Sequence, residues 1–321
     1  MLTFLPSAVR GVIAAVLLGL NTLFWCLLLF ALSLVKLALP IKAARVVIDR
    51  GLNGIANRWI ACNSAWMRLT QRTAWDVGGL EGLEPAGWYM VNCNHQSWVD
   101  ILVLQHVLNR RIPLLKFFLK QQLIYVPVIG IAWWALDFPF MRRHSESYLR
   151  KHPEKRFDDL ETTRRACEKF AHIPTSVMNF AEGTRFTPEK HRAQHSPYRH
   201  LLKPKAGALA LALGVLGAKF RSYLDLTIVY PSGRPTFWQF LCGDVPAIVV
   251  RARRLPIPVE FSGGDYARDP QHRKAIQHWL QALWLQKDEQ IAALLAAADR
   301  SPRPARAATR PDDDPPAGNP A

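Results

Sequence analysis

The stretch Asn94-His95-Gln96-Ser97-Trp98-Val99-Asp100 supplies an imidazole and a carboxylate. That pair makes a general base when the carboxylate fixes one ring nitrogen and leaves the other free. On one continuous helix, residues five apart diverge by ~140° and could not meet. The flanks offer another arrangement. Trp88-Tyr89-Met90-Val91-Asn92-Cys93 precedes the stretch and Ile101-Leu102-Val103-Leu104 follows it, which predicts strand, loop and helix. Ser97 followed by Asp100 ahead of an apolar run is a capping-box pattern, predicting Ser97 as N-cap and Asp100 in the first turn. His95 then lies outside the helix, where the chain can fold back onto Asp100. Taken alone, the plainer reading is that Asp100 only caps a helix and His95 is a loop histidine.

Further along, Glu182-Gly183-Thr184-Arg185 follows a strand-like run ending at Phe180. Ligands of α/β sheets bind at strand ends. A Glu and an Arg on one glycine turn can hold a polyol phosphate, the Arg through its planar fork and the Glu through a hydroxyl; the alternative is a surface salt bridge. Lys116 and Lys120, four apart, would share a helical face. Arg142 and Arg143 close the run that begins at Asp137, and Lys205 precedes a helix start at Ala206-Gly207, where N–H groups favour anions. Each of these cations singly could face lipid headgroups. His191 and His195 have metal-ligand spacing but no third ligand, so no metal is expected. Cys93 could sit on the side of His95, but nothing except that histidine would lower its pKa, which argues against a thiol nucleophile.

Positioning these groups takes a sizeable scaffold. The 321 residues suffice for one large domain or two small ones. Lys plus Arg number 41 against 25 Asp plus Glu, a net charge of +16 that implies nucleic acid, a phospholipid surface or a phosphorylated substrate. The five cysteines are scattered, without a C-x-x-C pair, which fits a reducing compartment and neither a disulfide framework nor a zinc site.

Residues 11–35 carry no charge. As a helix they would be roughly 37 Å long, enough to cross a ~30 Å hydrocarbon core. Residues 1–40 are therefore expected to form a retained transmembrane anchor. Residues 1–75 hold eight Lys or Arg against one acid, Asp49, and the excess of cations after the span places the rest of the chain on the cytoplasmic side. Residues 41–74 mix cations with Val46, Ile55, Trp59 and Trp66, predicting an amphipathic interfacial or re-entrant helix, so one or two passes are open. From 75 onward strand-like runs (175–180, 224–230) alternate with helical segments such as 206–218. This predicts an α/β domain over 75–298 with helices flanking a central sheet. Residues 271–298 read as one or two amphipathic helices packed on the domain, and 299–321 as a disordered tail.

Together and in order, four blocks resemble the glycerolipid acyltransferases: Asn94-His95-x4-Asp100; Lys120-x2-Leu123-x3-Pro127-x2-Gly130 with Phe140-x-Arg142-Arg143; Phe180-x-Glu182-Gly183-Thr184-Arg185; and Ile228-Val229-Tyr230-Pro231. The likeness is to the 1-acyl-glycerol-3-phosphate acyltransferase branch, within it to bacterial inner-membrane acyltransferases of the YihG type, and extends to about residue 260. Two positions depart: Ala181 stands where Pro is usual, and Tyr230 where a small residue is more frequent, which leaves the acyl pocket open. The resemblance implies that His95 takes a proton from an acceptor hydroxyl as it attacks an acyl thioester, with Asp100 orienting it. It implies that Glu182, Gly183, Thr184 and Arg185 bind the acceptor's glycerol phosphate, helped by Lys120 and Arg143 or Arg142. The expected partners are a lysophospholipid acceptor, acyl-CoA or acyl carrier protein as donor, and membrane phospholipids of the inner membrane. No cofactor or metal and no nucleic acid are expected.

Two rival readings stay in view. A membrane-tethered basic module without catalysis would explain the charge and the anchor, leaving the ordered motifs to coincidence. A hydrolase would use the same base on water.

Overall fold

The computed structural model describes residues 2, 4–39, 41–141, 164–165, 168, 172–264, 266 and 268–300. It opens with a helical hairpin, α1 (Ser7–Ala38) and α2 (Lys42–Thr70). Polar groups bond between the two helices: Asn21 Nδ2 donates to Asn63 Oδ1 at 2.8 Å, and Trp66 Nε1 to the Ala14 carbonyl at 3.0 Å. Both ends of α1 are tied to the domain that follows. At its start Arg10 pairs with Asp244 at 3.4 Å, and Gly11 lies so close to Cys242 that a Cβ there would meet its Sγ at 2.6 Å. At its end Lys36 Nζ reaches Asp137 at 2.6 Å and Asp49 of α2 at 2.8 Å. The helix thus lies along the α/β domain and is not a free-standing rod. Residues 42–70, within the segment expected as an amphipathic interfacial helix, form one helix that pairs with α1 in the hairpin.

The six-stranded sheet has the order β1-β8-β7-β2-β6-β3, with β7 and β8 antiparallel and every other neighbouring pair parallel. The strands are β1 (Ala74–Gly78), β2 (Tyr89–Cys93), β3 (Leu115–Phe117), β6 (Ser176–Phe180), β7 (Ser222–Val229) and β8 (Ala247–Leu255). A separate two-stranded piece pairs β4 (Leu119–Lys120) with β5 (Phe140–Met141). The central strands are mostly apolar, as strands covered on both faces tend to be; all of β2 and β7 is buried, including Asn92, Asp225 and Thr227. Alternation along β2 divides the core. Val91 and Cys93 join the side packed by α1, α2 and α3 (Val99–Leu108), and Met90 joins the side packed by α6 (Gly207–Leu216) and α8 (Pro270–Arg300).

The remaining described helices are α4 (Ile129–Ala135), α5 (Pro188–Ala193) and α7 (Phe237–Leu241), of which α7 starts with a capping box built from Thr236 and Gln239. Helix α8 is one element, buried along Ile276, Leu280, Leu283, Trp284, Lys287 and Ile291. Lys287 is tolerated in that stripe because its ammonium meets Asp225 at 2.7 Å and the Leu226 carbonyl at 2.6 Å, while Arg253 holds the same aspartate at 2.6 Å.

Several expectations change. α3 begins at Val99, with Trp98 as N-cap, not Ser97. Lys116 and Lys120 sit on two short strands and share no helical face; Lys116 is buried and donates to the Leu136 carbonyl at 2.7 Å. The edge strand β1 and the arginine-rich β8 were not anticipated. The expected tail lies outside the described residues from 301, and residues 299 and 300 end α8.

Candidate active site

Three loops leave the same edge of the sheet, because β2, β6 and β7 run parallel and in register, Cys93 lying opposite both Phe180 and Leu226. Asn94 extends the β2–β7 ladder with its side chain: Nδ2 donates to the Ile228 carbonyl and Oδ1 accepts from the Ile228 N–H, both at 2.9 Å. The chain then turns, and His95 Nδ1 meets Asp100 Oδ2 at 2.8 Å. The foldback read from the sequence is therefore present. Asp100 is buried and does more than cap: the same Oδ2 accepts from the Gln96 N–H at 2.6 Å and the Ser97 N–H at 2.9 Å. Ser97 Oγ donates to the Pro235 carbonyl at 2.7 Å and accepts weakly from the Val99 N–H at 3.2 Å. Asp100 Oδ1 accepts from the Tyr230 hydroxyl at 2.6 Å, a contact the sequence reading missed although it had singled out Tyr230.

With Nδ1–H given to Asp100, the neutral imidazole carries its lone pair on Nε2, which has no hydrogen-bond partner among the described residues. The ring stacks on Phe180 at 3.9 Å and 14°, and near-parallel stacking continues to Phe117 and Phe138. One face of the base is thus held dry by aromatic carbon.

The Glu182 block occupies the neighbouring loop. Gly183 adopts φ +68°, a conformation that favours glycine, and its N–H closes the turn on the Phe180 carbonyl at 2.8 Å. Glu182 is fully buried, and its two oxygens accept from the N–H groups of His95 at 2.8 Å and Leu202 at 3.0 Å. Burial pushes this carboxyl up to about 8, against the pull of those two donors. The role expected for Glu182, direct contact with an acceptor, is corrected: a carboxyl with no exposed surface and both oxygens bonded braces the His95 loop. Thr184 Oγ1 accepts from Lys190 Nζ at 2.8 Å, and that ammonium also reaches the Arg185 carbonyl at 3.1 Å. The Arg185 guanidinium lies 4.5 Å over the ring of Trp98, on the loop between His95 and α3. Of the expected phosphate ligands, Arg185 is thus placed beside the base.

Lys120 is exposed at the end of β4, where it pairs in register with Met141, the residue before Arg142. Arg142 and Arg143 lie outside the described residues. Lys205 is exposed before α6, its N–H bonded to the Ala181 carbonyl at 2.7 Å. Cys93 is buried, and burial holds its thiol well above the usual range, which removes it as a nucleophile. Among the described residues no group of His, Cys, Asp and Glu could hold a metal ion, and His191 instead meets the Tyr198 carbonyl at 2.6 Å.

The sequence model of the family described as Acyltransferase matches residues 75–233, which span β1 to the loop after β7. Human 1-acyl-sn-glycerol-3-phosphate acyltransferase gamma is 26% identical over 184 residues, covering 54% of this chain and 44% of the human protein. Arabidopsis thaliana 1-acyl-sn-glycerol-3-phosphate acyltransferase 3 is 26% identical over 217 residues, covering 63% and 52%. The chain thus spans about half the length of these relatives. The crystal structure of the 1-acyl-sn-glycerophosphate acyltransferase PlsC from Thermotoga maritima aligns with a TM-score of 0.47 at 17% identity, over 86% of this chain and 97% of that one. The motif order, the loops that carry it and the family match agree: residues 75–233 form a domain of the acyltransferase family.

Proposed function

We propose that the protein transfers a fatty acyl group from an acyl thioester to the free hydroxyl of a lysophospholipid, 1-acyl-sn-glycerol-3-phosphate in the first instance, giving phosphatidic acid. The observation that carries this is the His95–Asp100 contact of 2.8 Å, with Nε2 left unbonded at the edge where three loops converge. His95 Nε2 takes the hydroxyl proton as the oxygen attacks the thioester carbonyl, and the imidazolium formed is stabilised by Asp100. That proton then passes to the departing thiolate, leaving His95 neutral for the next turnover. Arg185, with Lys120 from β4, supplies positive charge for the acceptor's phosphate. The aromatic file from Phe180 to Phe138 offers the acyl chain an apolar wall. The acyl carrier is coenzyme A or acyl carrier protein.

A membrane location fits the same chemistry, because acceptor and product are lipids. Helix α1 is long and apolar enough to cross a membrane. With both of its ends bonded to the α/β domain, the favoured placement is a hairpin sunk into one leaflet, its outer stripe of Val12, Val16, Leu20, Leu23 and Leu27 against lipid. The cytoplasmic side of the inner membrane is the leaflet expected from the cation bias.

The test uses protein in vesicles with lysophosphatidic acid and a radiolabelled oleoyl thioester. Wild type should form phosphatidic acid, and His95→Ala should lose at least about 10³-fold in kcat. Release of free fatty acid without an acceptor would replace this reading with the hydrolase. Retained turnover in His95→Ala would remove the base.

A further inference from the structure

The catalytic loop borders a second environment, opposite in character to its aromatic side. A cavity of about 340 Å³ opens at Gln96, the residue after His95, within the ~300–1,000 Å³ range of small-molecule sites. Among the described residues Arg192, Arg199 and Arg234 line it and no carboxylate does, and Val229 and Ile291 form a buried apolar floor. Nearby acids leave the cations available. Asp288 spends both oxygens on the N–H groups of Arg199 and His200 at 2.7 Å, and Glu189 meets Arg192 only at 3.7 Å with both side chains exposed. Phe186 joins the cavity to the base: its N–H donates to the His95 carbonyl at 2.7 Å, and the Arg234 guanidinium lies 4.5 Å over its ring.

Three arginines over an apolar floor beside an aromatic ring suit a ligand with several phosphates and a flat, weakly polar body. A protein carrier would instead require a broad exposed surface. We propose that this cavity binds the phosphorylated nucleotide of a coenzyme A thioester, an inference that rests on the acyl-thioester reading above. The carrier would then leave the reacting carbonyl past Gln96, away from Arg185 and the acceptor phosphate.

Two measurements separate this proposal from the reaction on which it rests. The first is direct binding of adenosine 3′,5′-bisphosphate to the full chain in detergent, with and without Arg199→Ala and Arg234→Ala. Each substitution should weaken binding about tenfold or more, as loss of a charge-assisted contact does. The second is the ratio of kcat/KM for oleoyl-CoA to that for oleoyl-pantetheine, which lacks the nucleotide. That ratio should be large in wild type and fall toward one in the double variant. Absence of bisphosphate binding, or a ratio near one in wild type, overturns the cavity assignment while leaving acyl transfer standing. Preference for an acyl-carrier-protein thioester without bisphosphate binding does the same. Bisphosphate binding lost in both variants, with no transfer from any thioester, supports the cavity and sinks the reaction.

A different observation carries a second inference. Tyr230 is buried, its hydroxyl donates to Asp100 Oδ1 at 2.6 Å, and the other carboxylate oxygen is the one that faces His95. Burial holds the phenol well above its usual range, so it remains a donor throughout the working pH. We infer that Tyr230 is a positioning residue of the base, fixing the carboxylate plane and drawing charge from Oδ1. Tyr230→Phe removes the donor and little else. The unshared charge on Asp100 should then favour the imidazolium, and the acidic limb of the kcat/KM profile should move up by at least about half a pH unit. In an Asp100→Asn background the same substitution should change kcat by less than about twofold, since its effect runs through Asp100. An unmoved acidic limb, or additive losses in the double variant, would make Tyr230 a packing residue only.

Discussion

Helices α1 and α8 are nearly equal in length, 32 and 31 residues, and treat their apolar stripes in opposite ways. α8 lays Ile276, Leu280, Leu283, Trp284 and Ile291 against the sheet and turns Lys274, Gln277, Gln281 and Glu289 outward. α1 packs Ala14, Cys26 and Leu29 inward and still leaves Val12, Val16, Leu20, Leu23 and Leu27 exposed on the other side. A stripe satisfied by the sheet belongs to the fold. One with no partner among the described residues is the surface on which the proposed membrane contact rests. The two helices also serve the site differently. Trp284 Nε1 donates to the Leu202 carbonyl at 3.0 Å, the Leu202 N–H donates to Glu182, and Glu182 accepts the His95 N–H. α8 therefore reaches His95 through three hydrogen bonds, whereas α1 packs on the core and places its polar contacts to the α/β domain at its two ends, at Arg10 and Lys36.

The sharpest break of this contrast is Trp284→Ala. It empties a fully buried site and frees the Leu202 carbonyl, so it should cost about 3–5 kcal/mol in a urea melt. A loss below about 1 kcal/mol would show that α8 is dispensable to the domain. A smaller effect comes from Glu182 and depends on pH. Its folded value of about 8 lies above the ordinary 4.5, so the folded state holds a proton that the unfolded chain has released. Stability should be fullest below about 4.5 and fall as pH rises toward about 8, by up to about 1.4 kcal/mol per pH unit across that window. Thermal melts at pH 5 and pH 8 should differ by several degrees in wild type and by much less in Glu182→Gln. Equal differences in both proteins would assign the pH dependence to another group. The smallest stability effect should come from Leu20→Ser with Leu23→Ser and Leu27→Ser, within about 0.5 kcal/mol per site in detergent. Flotation with phospholipid vesicles should nevertheless drop severalfold, and unchanged flotation would detach the α1 stripe from lipid.

Much of the site was legible because its chemistry is local. Strand, loop and helix around His95 follow from apolar runs interrupted at Asn94 and Ser97, and the structure returns that order with the helix starting one residue late. The strand before Glu182 was read for the same reason. What the sequence hid is carried by contacts between distant residues. Nothing local to Tyr230 says that its hydroxyl will meet Asp100, and nothing in Glu182-Gly183-Thr184-Arg185 says that its acid will face inward to two backbone donors. β8 was missed because Arg251, Arg253 and Arg254 mask its apolar alternation, their charge being taken up by Asp76, Asp225 and the Gly82 carbonyl. Lys116 and Lys120 suited a helix by spacing, yet the pairings of β3 with β6 and of β4 with β5 override that local preference.

The link from Trp284 to His95 also has a consequence in time. A ribosome adding ~5–20 residues per second needs roughly 10–40 s to pass from His95 to Trp284. Throughout that interval the exposed apolar helix near the start of the chain is already made, while the brace beneath the base lacks its outer support. During synthesis the exposed apolar stripe therefore precedes a fully braced His95 loop, and a fragment ending before α8 would keep the first without the second.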